Sequence, residues 1–117
     1  MSDLAIRINS IPGVTVRENS DSYVTRIRVA FENGYELSVI QSKKEAGFSA
    51  AYGEAGVSVE LALFDGNGEF TRILWPEENN DVLGWQNFDE AISYAEKAAA
   101  LPPFIKVISH TVVKELD

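Results

Sequence analysis

The chain has 117 residues, a formal net charge of −8 and no cysteine. That length suits one domain, residues 1–117, whose core buries about two-thirds of the unfolded surface without covalent staples. Disulfides, cysteine nucleophiles and thiolate metal sites are excluded. So is the clustered basic charge that nucleic acid or an anionic membrane requires.

Near the start, Leu4, Ile6 and Ile8 alternate with Arg7, so residues 4–9 read as a short strand, with a short helix as the alternative. Pro12 and Gly13 are placed for a type II turn, and residues 14–17 read as a second short strand. Two runs with strand chemistry, residues 23–31 and 35–41, flank Asn33-Gly34, the strongest short-range hairpin signal. A two-residue turn would mix apolar and polar residues on one face. A three-residue loop, Glu32-Asn33-Gly34, pairs Phe31 with Tyr35, Val29 with Leu37 and Ile27 with Val39, and one face becomes wholly apolar. The other face then carries Arg26 and Arg28 near Glu36.

Residues 42–56 hold Gly47, Gly53 and Gly56 with Phe48 and Tyr52 and read as a long loop. Residues 57–64 alternate, with Val57, Val59, Leu61 and Leu63 inward and Ser58 and Glu60 outward. A turn at residues 65–68 returns the chain along residues 70–75, with Ile73 opposite Leu61, Trp75 opposite Val59 and Arg72 diagonal to Glu60. An acidic loop over residues 76–81 and a short segment, residues 82–85, precede a helix. Asn87 caps that helix and Glu90 completes a capping-box pattern. Phe88, Ala91, Ile92, Ala95, Ala98 and Ala99 form its apolar stripe, and Pro102-Pro103 stops it. Residues 104–113 are rich in β-branched side chains and read as a last strand. The expected fold is α+β: an antiparallel, meander-like sheet of five to seven strands with one C-terminal helix packed on its apolar face.

The charge is unevenly spread. Residues 54–96 hold ten carboxylates and one base, Arg72, which accounts for the whole acidic excess. Solubility explains such a segment, and so does an acidic face that docks on a basic surface, such as that of a nucleic-acid-binding protein whose substrate it imitates. Trp75 and Trp85 flank the acidic loop. Tryptophan is over-represented among interface hot spots, so Trp75, Glu77, Glu78, Asp81 and Trp85 form the expected partner-binding set. The register above also turns Trp75 inward. The alternative is a small-ligand site under residues 42–56 acting as a lid, with Phe48 and Tyr52 lining it.

Chemistry-bearing patterns are few. His110 is the one histidine and has no nucleophile or orienting acid in a recognisable pattern. Asp65, Asn67 and Glu69 imitate the front of a calcium loop, which then fails at Phe70 and Pro76. The three loop glycines lack the Gly-Lys-Ser/Thr of a phosphate loop. No catalytic residue, metal or cofactor is expected. Met1-Ser2-Asp3 lacks the basic and apolar stretches of a signal peptide, and no run reaches the roughly 20 apolar residues of a membrane span. A cytoplasmic protein with no membrane and no direct nucleic-acid contact is expected. An exposed strand edge would also let a second copy pair as a homodimer.

The run from Phe31 to Ile40, the Tyr52-Gly53 pair, the strand around Glu60 and the segment Asp81-Val82-Leu83-Gly84-Trp85 before a short helix resemble a group of small tailed-bacteriophage proteins. That group shares FxNGYxxSV, Tyr-Gly and DVxGW/Y patterns. The resemblance covers residues 27–102. This chain departs from it in lacking a Gly-Pro start after Ile40 and in its β-branched tail. The resemblance implies action in the cytoplasm of an infected bacterium, through binding to host machinery or to antiviral systems. It transfers no catalytic residue.

Overall fold

The computed structural model describes residues 1–44 and 51–105. The expectations for Gly47 and Phe48, for His110 and for a last strand beyond residue 105 lie outside the described residues. The elements run α1 (Asp3–Asn9), β1 (Val14–Ser20), β2 (Val24–Phe31), β3 (Glu36–Ser42), β4 (Ser58–Phe64), β5 (Val82–Asn87) and α2 (Phe88–Ala99). The strands make one antiparallel sheet in sequence order, β1-β2-β3-β4-β5, a plain meander. One hydrophobic cluster joins α1, the inner sheet face and α2.

The β2–β3 hairpin has the expected register, with Ile27 opposite Val39 and Val29 opposite Leu37. All four side chains are fully buried. Gly34 takes φ +96° in the three-residue loop, and the Phe31 amide donates to the Tyr35 carbonyl at 3.0 Å. On the outer face Arg28 pairs with Glu36. Arg26 turns away to Asp21 at 2.8 Å, on the loop between β1 and β2. Gly13, at φ +80°, supports the turn into β1.

Residues 3–9 are helical, not extended. The Ser2 hydroxyl accepts the Ala5 amide at 3.3 Å as N-cap, Asp3 sits in the first turn and Arg7 in the last. Leu4, Ala5 and Ile8 form the buried face and Ile6 points outward. That is the helical spacing, whereas a strand would have buried Ile6 beside Leu4 and Ile8. The Glu18 carboxylate of β1 accepts both the backbone amide and the hydroxyl of Ser2, tying α1 to the sheet edge.

The partner of β4 also differs from expectation. Residues 70–75 form no strand. A single bridge joins Phe64 to Phe70, and the chain then turns, with the Trp75 amide donating to the Arg72 carbonyl at 2.9 Å. Strand β5 takes the place instead, with Leu83 opposite Leu61 and Gln86 opposite Val59. Ile73 is left 50% exposed, while Trp75, 4% exposed, enters the core and meets the Tyr94 ring edge-on at 5.5 Å. Arg72 faces Asp81, at 3.7 Å, rather than Glu60. Val57, expected inward, is exposed in the turn before β4. Ser58 is buried because Gly53 lies over its carbonyl and its hydroxyl accepts the Glu54 amide at 2.8 Å.

Helix α2 has its capping box. The Asn87 side chain accepts the Glu90 amide, and the Glu90 carboxylate accepts the Asn87 amide, each at 2.8 Å. Ala91, Ala95 and Ala98 are its fully buried positions, and their small size lets the helix axis lie close to the sheet.

Two outcomes follow from these assignments. Leu61→Ala lowers unfolding free energy by about 2–5 kcal/mol and Ile73→Ala by less than about 1 kcal/mol in urea titrations. Equal losses at the two positions would restore the discarded pairing. The Asp21 carboxylate accepts the Tyr23 amide, the Arg26 guanidinium and the Val24 amide, which hold its pKa well below the usual carboxylate range. A depressed carboxylate contributes stability at pH above its unfolded value of about 3.9 and loses it as pH falls through and below that value. Asp21→Asn therefore flattens the acid limb of the stability–pH curve below about pH 4 without reshaping the neutral region.

Candidate functional site

Between Val59 and Leu61 the β4–β5 ladder shifts register. Glu60 stands alone on β4 against two residues, Gly84 and Trp85, on β5, a β-bulge. The extra residue puts Trp85 at φ +60°, the left-handed region that bulky side chains avoid. The strain is about 1–2 kcal/mol, and the indole it presents is 62% exposed.

The bulge carries a second segment. The Trp85 amide donates to the Tyr52 carbonyl at 2.8 Å. The Tyr52 amide donates to the Glu60 carboxylate at 3.0 Å. Gly84 admits this crossing because a Cβ there would lie 2.6 Å from the Tyr52 Cβ. Gly53 is equally constrained, since a Cβ would lie 2.7 Å from the Ser58 carbonyl oxygen. The two backbones are thus fixed on one another, and the Tyr52 side chain, 64% exposed, emerges in the cleft that Trp85 lines.

A cleft of about 560 Å³ results. Tyr52, Phe70 and Trp85 supply its aromatic lining, and Glu78 and Asp81 its carboxylates. Phe70, 50% exposed, rests against Phe64 with centroids 4.7 Å apart. Asp81 shares its charge with Arg72, which also donates to the Glu78 carbonyl at 2.7 Å. The Glu78 carboxylate itself has no partner among the described residues.

Of the expected partner-binding set, the structure gathers Glu78, Asp81 and Trp85 into this cleft. Tyr52, expected under a loop lid, joins them there. Trp75 does not reach the surface. It is a core residue, and its buried indole N–H has no acceptor among the described residues. Glu77 is exposed but does not line the cleft. Sequence reading missed Phe70, which the assumed strand absorbed, and Gly84, whose sole signal is its place before Trp85.

A second, larger depression of about 720 Å³ covers the helix-free sheet face, lined by Arg17, Arg26 and Arg28 among others. Its charges are mostly internal: Arg28 pairs with Glu36 and lies 4.7 Å over the Phe64 ring, and Arg26 pairs with Asp21. The Asp65 carboxylate accepts the Asn67 and Glu69 amides at 2.8 and 3.1 Å, the work of a turn residue. Among the described residues no group of three or more His, Cys, Asp or Glu is placed to hold a metal ion, and no helix is long and apolar enough to cross a membrane.

Comparison with protein-family models, with curated proteins and with solved structures returns no match to this chain.

The strain at the bulge makes a direct prediction. Trp85→Gly removes an exposed side chain and places at φ +60° the residue that tolerates it best. Its unfolding free energy should equal or exceed that of the parent by up to about 1 kcal/mol, while Gly84→Ala loses about 1–3 kcal/mol. Chemical denaturation of both variants checks the pair. A large loss at Trp85→Gly would mean that the indole is structural.

Proposed function

We propose that the chain is a non-enzymatic, acidic accessory protein of a tailed bacteriophage that binds and modulates a host protein bearing a basic surface. The observation that carries this reading is the cleft at the β5 edge, where exposed Trp85, Tyr52 and Phe70 meet the carboxylates of Glu78 and Asp81. Exposed aromatic anchors with a charged rim are the composition of an interface hot spot. Their negative rim fits a cationic partner and opposes nucleic acid. The phage assignment rests on the pattern of residues 27–102, and it locates the protein in the cytoplasm of the infected cell. A partner that normally grips nucleic acid, including one serving antiviral defence, offers the basic surface the cleft fits.

A second reading keeps the same cavity for a small ligand. What favours it is that Tyr52, from the segment expected to act as a lid, lines a cleft whose volume falls in the range of small-molecule sites, about 300–1,000 Å³.

The test is affinity capture from host lysate with mass-spectrometric identification, followed by titration calorimetry on the purified partner. Changing Glu77, Glu78 and Asp81 together to Lys leaves the far-UV spectrum and the denaturation midpoint close to the parent. It weakens partner binding by at least about tenfold, and parental binding declines as salt rises. Undiminished binding by the triple variant sinks the docking reading. A co-purifying metabolite that raises the melting temperature would favour the ligand reading.

A further inference from the structure

Resting on that docking role, we infer that the cleft recognises one chemical group, the guanidinium of an arginine side chain projecting from the partner. Three features of the site select it.

The first is the aromatic lining. Trp, Tyr and Phe rings attract a cation over their faces, tryptophan most strongly. The structure provides all three, half-exposed or more, around one cavity. The main chains that carry two of them are fixed before any ligand arrives, joined by the 2.8 Å hydrogen bond from the Trp85 amide to the Tyr52 carbonyl, and the Phe70 ring rests tilted against Phe64. A pre-organised main chain lowers the entropy cost of binding.

The second is the acid that lines the cleft with them. Rings alone would accept a quaternary ammonium, a lysine or an arginine. The Glu78 carboxylate lacks a partner among the described residues and calls for a cation that donates N–H groups, which a quaternary ammonium cannot do. A lysine donates but is a compact, strongly hydrated charge that suits an aromatic face poorly. A guanidinium is planar and weakly hydrated, stacks on an indole, and presents a donor fork to a carboxylate at its edge. Asp81 assists less, since Arg72 already lies 3.7 Å from it.

The third concerns the sheet edge. Among the described residues strand β5 ends the sheet, an edge that would otherwise invite an extended partner strand. The bulge at Gly84 and Trp85 breaks its regular row of peptide groups, a device that blunts edges. Recognition at this place therefore falls to side chains, with the indole as the principal contact.

The experiment uses the full chain and blocked five-residue peptides, Gly-Ala-X-Ala-Gly, in which X is arginine, lysine, trimethyllysine or the uncharged arginine isostere citrulline. The chain has two tryptophans, Trp75 in the core and Trp85 in the cleft, so its indole N–H region in a ¹H–¹⁵N correlation spectrum carries two signals, and Trp85→Phe assigns them. With the arginine peptide the Trp85 signal moves saturably and the Trp75 signal stays in place. Arginine binds at least about fivefold more tightly than lysine or trimethyllysine, and citrulline is weaker still. Glu78→Gln removes about tenfold of the arginine affinity. Equal response to lysine and arginine, an equal response to citrulline, or no saturable movement of the Trp85 signal at millimolar peptide overturns the inference. If the arginine peptide fails while the triple charge reversal still abolishes partner binding, the docking role stands and only the guanidinium assignment is lost. If the arginine peptide binds and the partner remains bound to the triple variant, the docking role fails instead.

Discussion

Glu60 faces two residues of β5 rather than one, and that mismatch organises the whole β5 edge of the molecule. The unpaired position forces Trp85 into a left-handed backbone and swings its indole toward solvent. It leaves the Glu60 carboxylate free of a cross-strand partner, so that it can receive the Tyr52 amide. It also opens space above Gly84, where the Tyr52 backbone crosses. The strain is held because the Trp85 amide, displaced from the ladder, finds the Tyr52 carbonyl. Strained, over-determined backbone of this sort concentrates at recognition and switching sites, and here it presents an aromatic side chain rather than burying one.

Helix α2 depends on a different kind of fastening. Its fully buried positions are alanines, which remove little apolar area from water compared with leucine or phenylalanine. Polar bonds at both ends compensate. The capping box satisfies the N-terminal amides, and Asp89 at the same end reaches Arg7 of α1 at 2.7 Å. At the other end the Asn33 side chain, from the β2–β3 turn, donates to the Ala98 and Leu101 carbonyls at 2.7 and 3.0 Å. The Ala98 carbonyl, in the last turn of the helix, also accepts the Leu101 amide at 3.2 Å, and the Leu101 carbonyl lies just beyond the helix end. Asn33 therefore shapes the hairpin loop and stops the helix at once. The Phe104 amide then donates to the Asn33 carbonyl at 2.8 Å and carries the chain on across the turn, where its ring meets Tyr35 edge-on.

Legibility in the sequence followed the agreement between local and non-local signals. The hairpin and the capped helix were readable because turn chemistry, alternation and capping residues each pointed the same way. Residues 4–9 were ambiguous because so short an apolar run fits both periods, and the Ser2 cap that decides between them is one residue long. Residues 70–75 misled because Ile73 and Trp75 alternate like a strand. The core took Trp75 alone, and β5, whose alternation the bulge interrupts, took the sheet position. The site was half legible for the same reason. Trp85, Glu78, Asp81 and Tyr52 could be named as residue types suited to binding. Their convergence is set by the pairing of β4 with β5 and by the crossing at Gly84, neither of which leaves a local mark. Trp75 and Glu77 are close to the others in sequence, but the successive turns over residues 72–78 send Trp75 into the core and leave Glu77 off the cleft lining.

The acidic segment looks different once its partners are known. Glu60, Asp65, Asp81, Asp89 and Glu90 each hold an amide or an arginine, so about half of its carboxylates serve the fold locally. Such charges are anchored in position and partly compensated. Glu78 is left uncompensated beside the aromatic cleft, while the arginines Arg17, Arg26 and Arg28 occupy the helix-free face around Glu36 and Asp21. The charges of the sheet face are thus mostly paired with one another, whereas Glu78 at the cleft has no partner among the described residues. A basic partner of the kind proposed above would meet paired charges on the sheet face and an uncompensated carboxylate at the β5 edge. Screening over a Debye length of about 8 Å at physiological salt confines that difference to close approach. In the proposal above, discrimination would then fall to the rings and the Glu78 carboxylate, which act only after water has left the cleft.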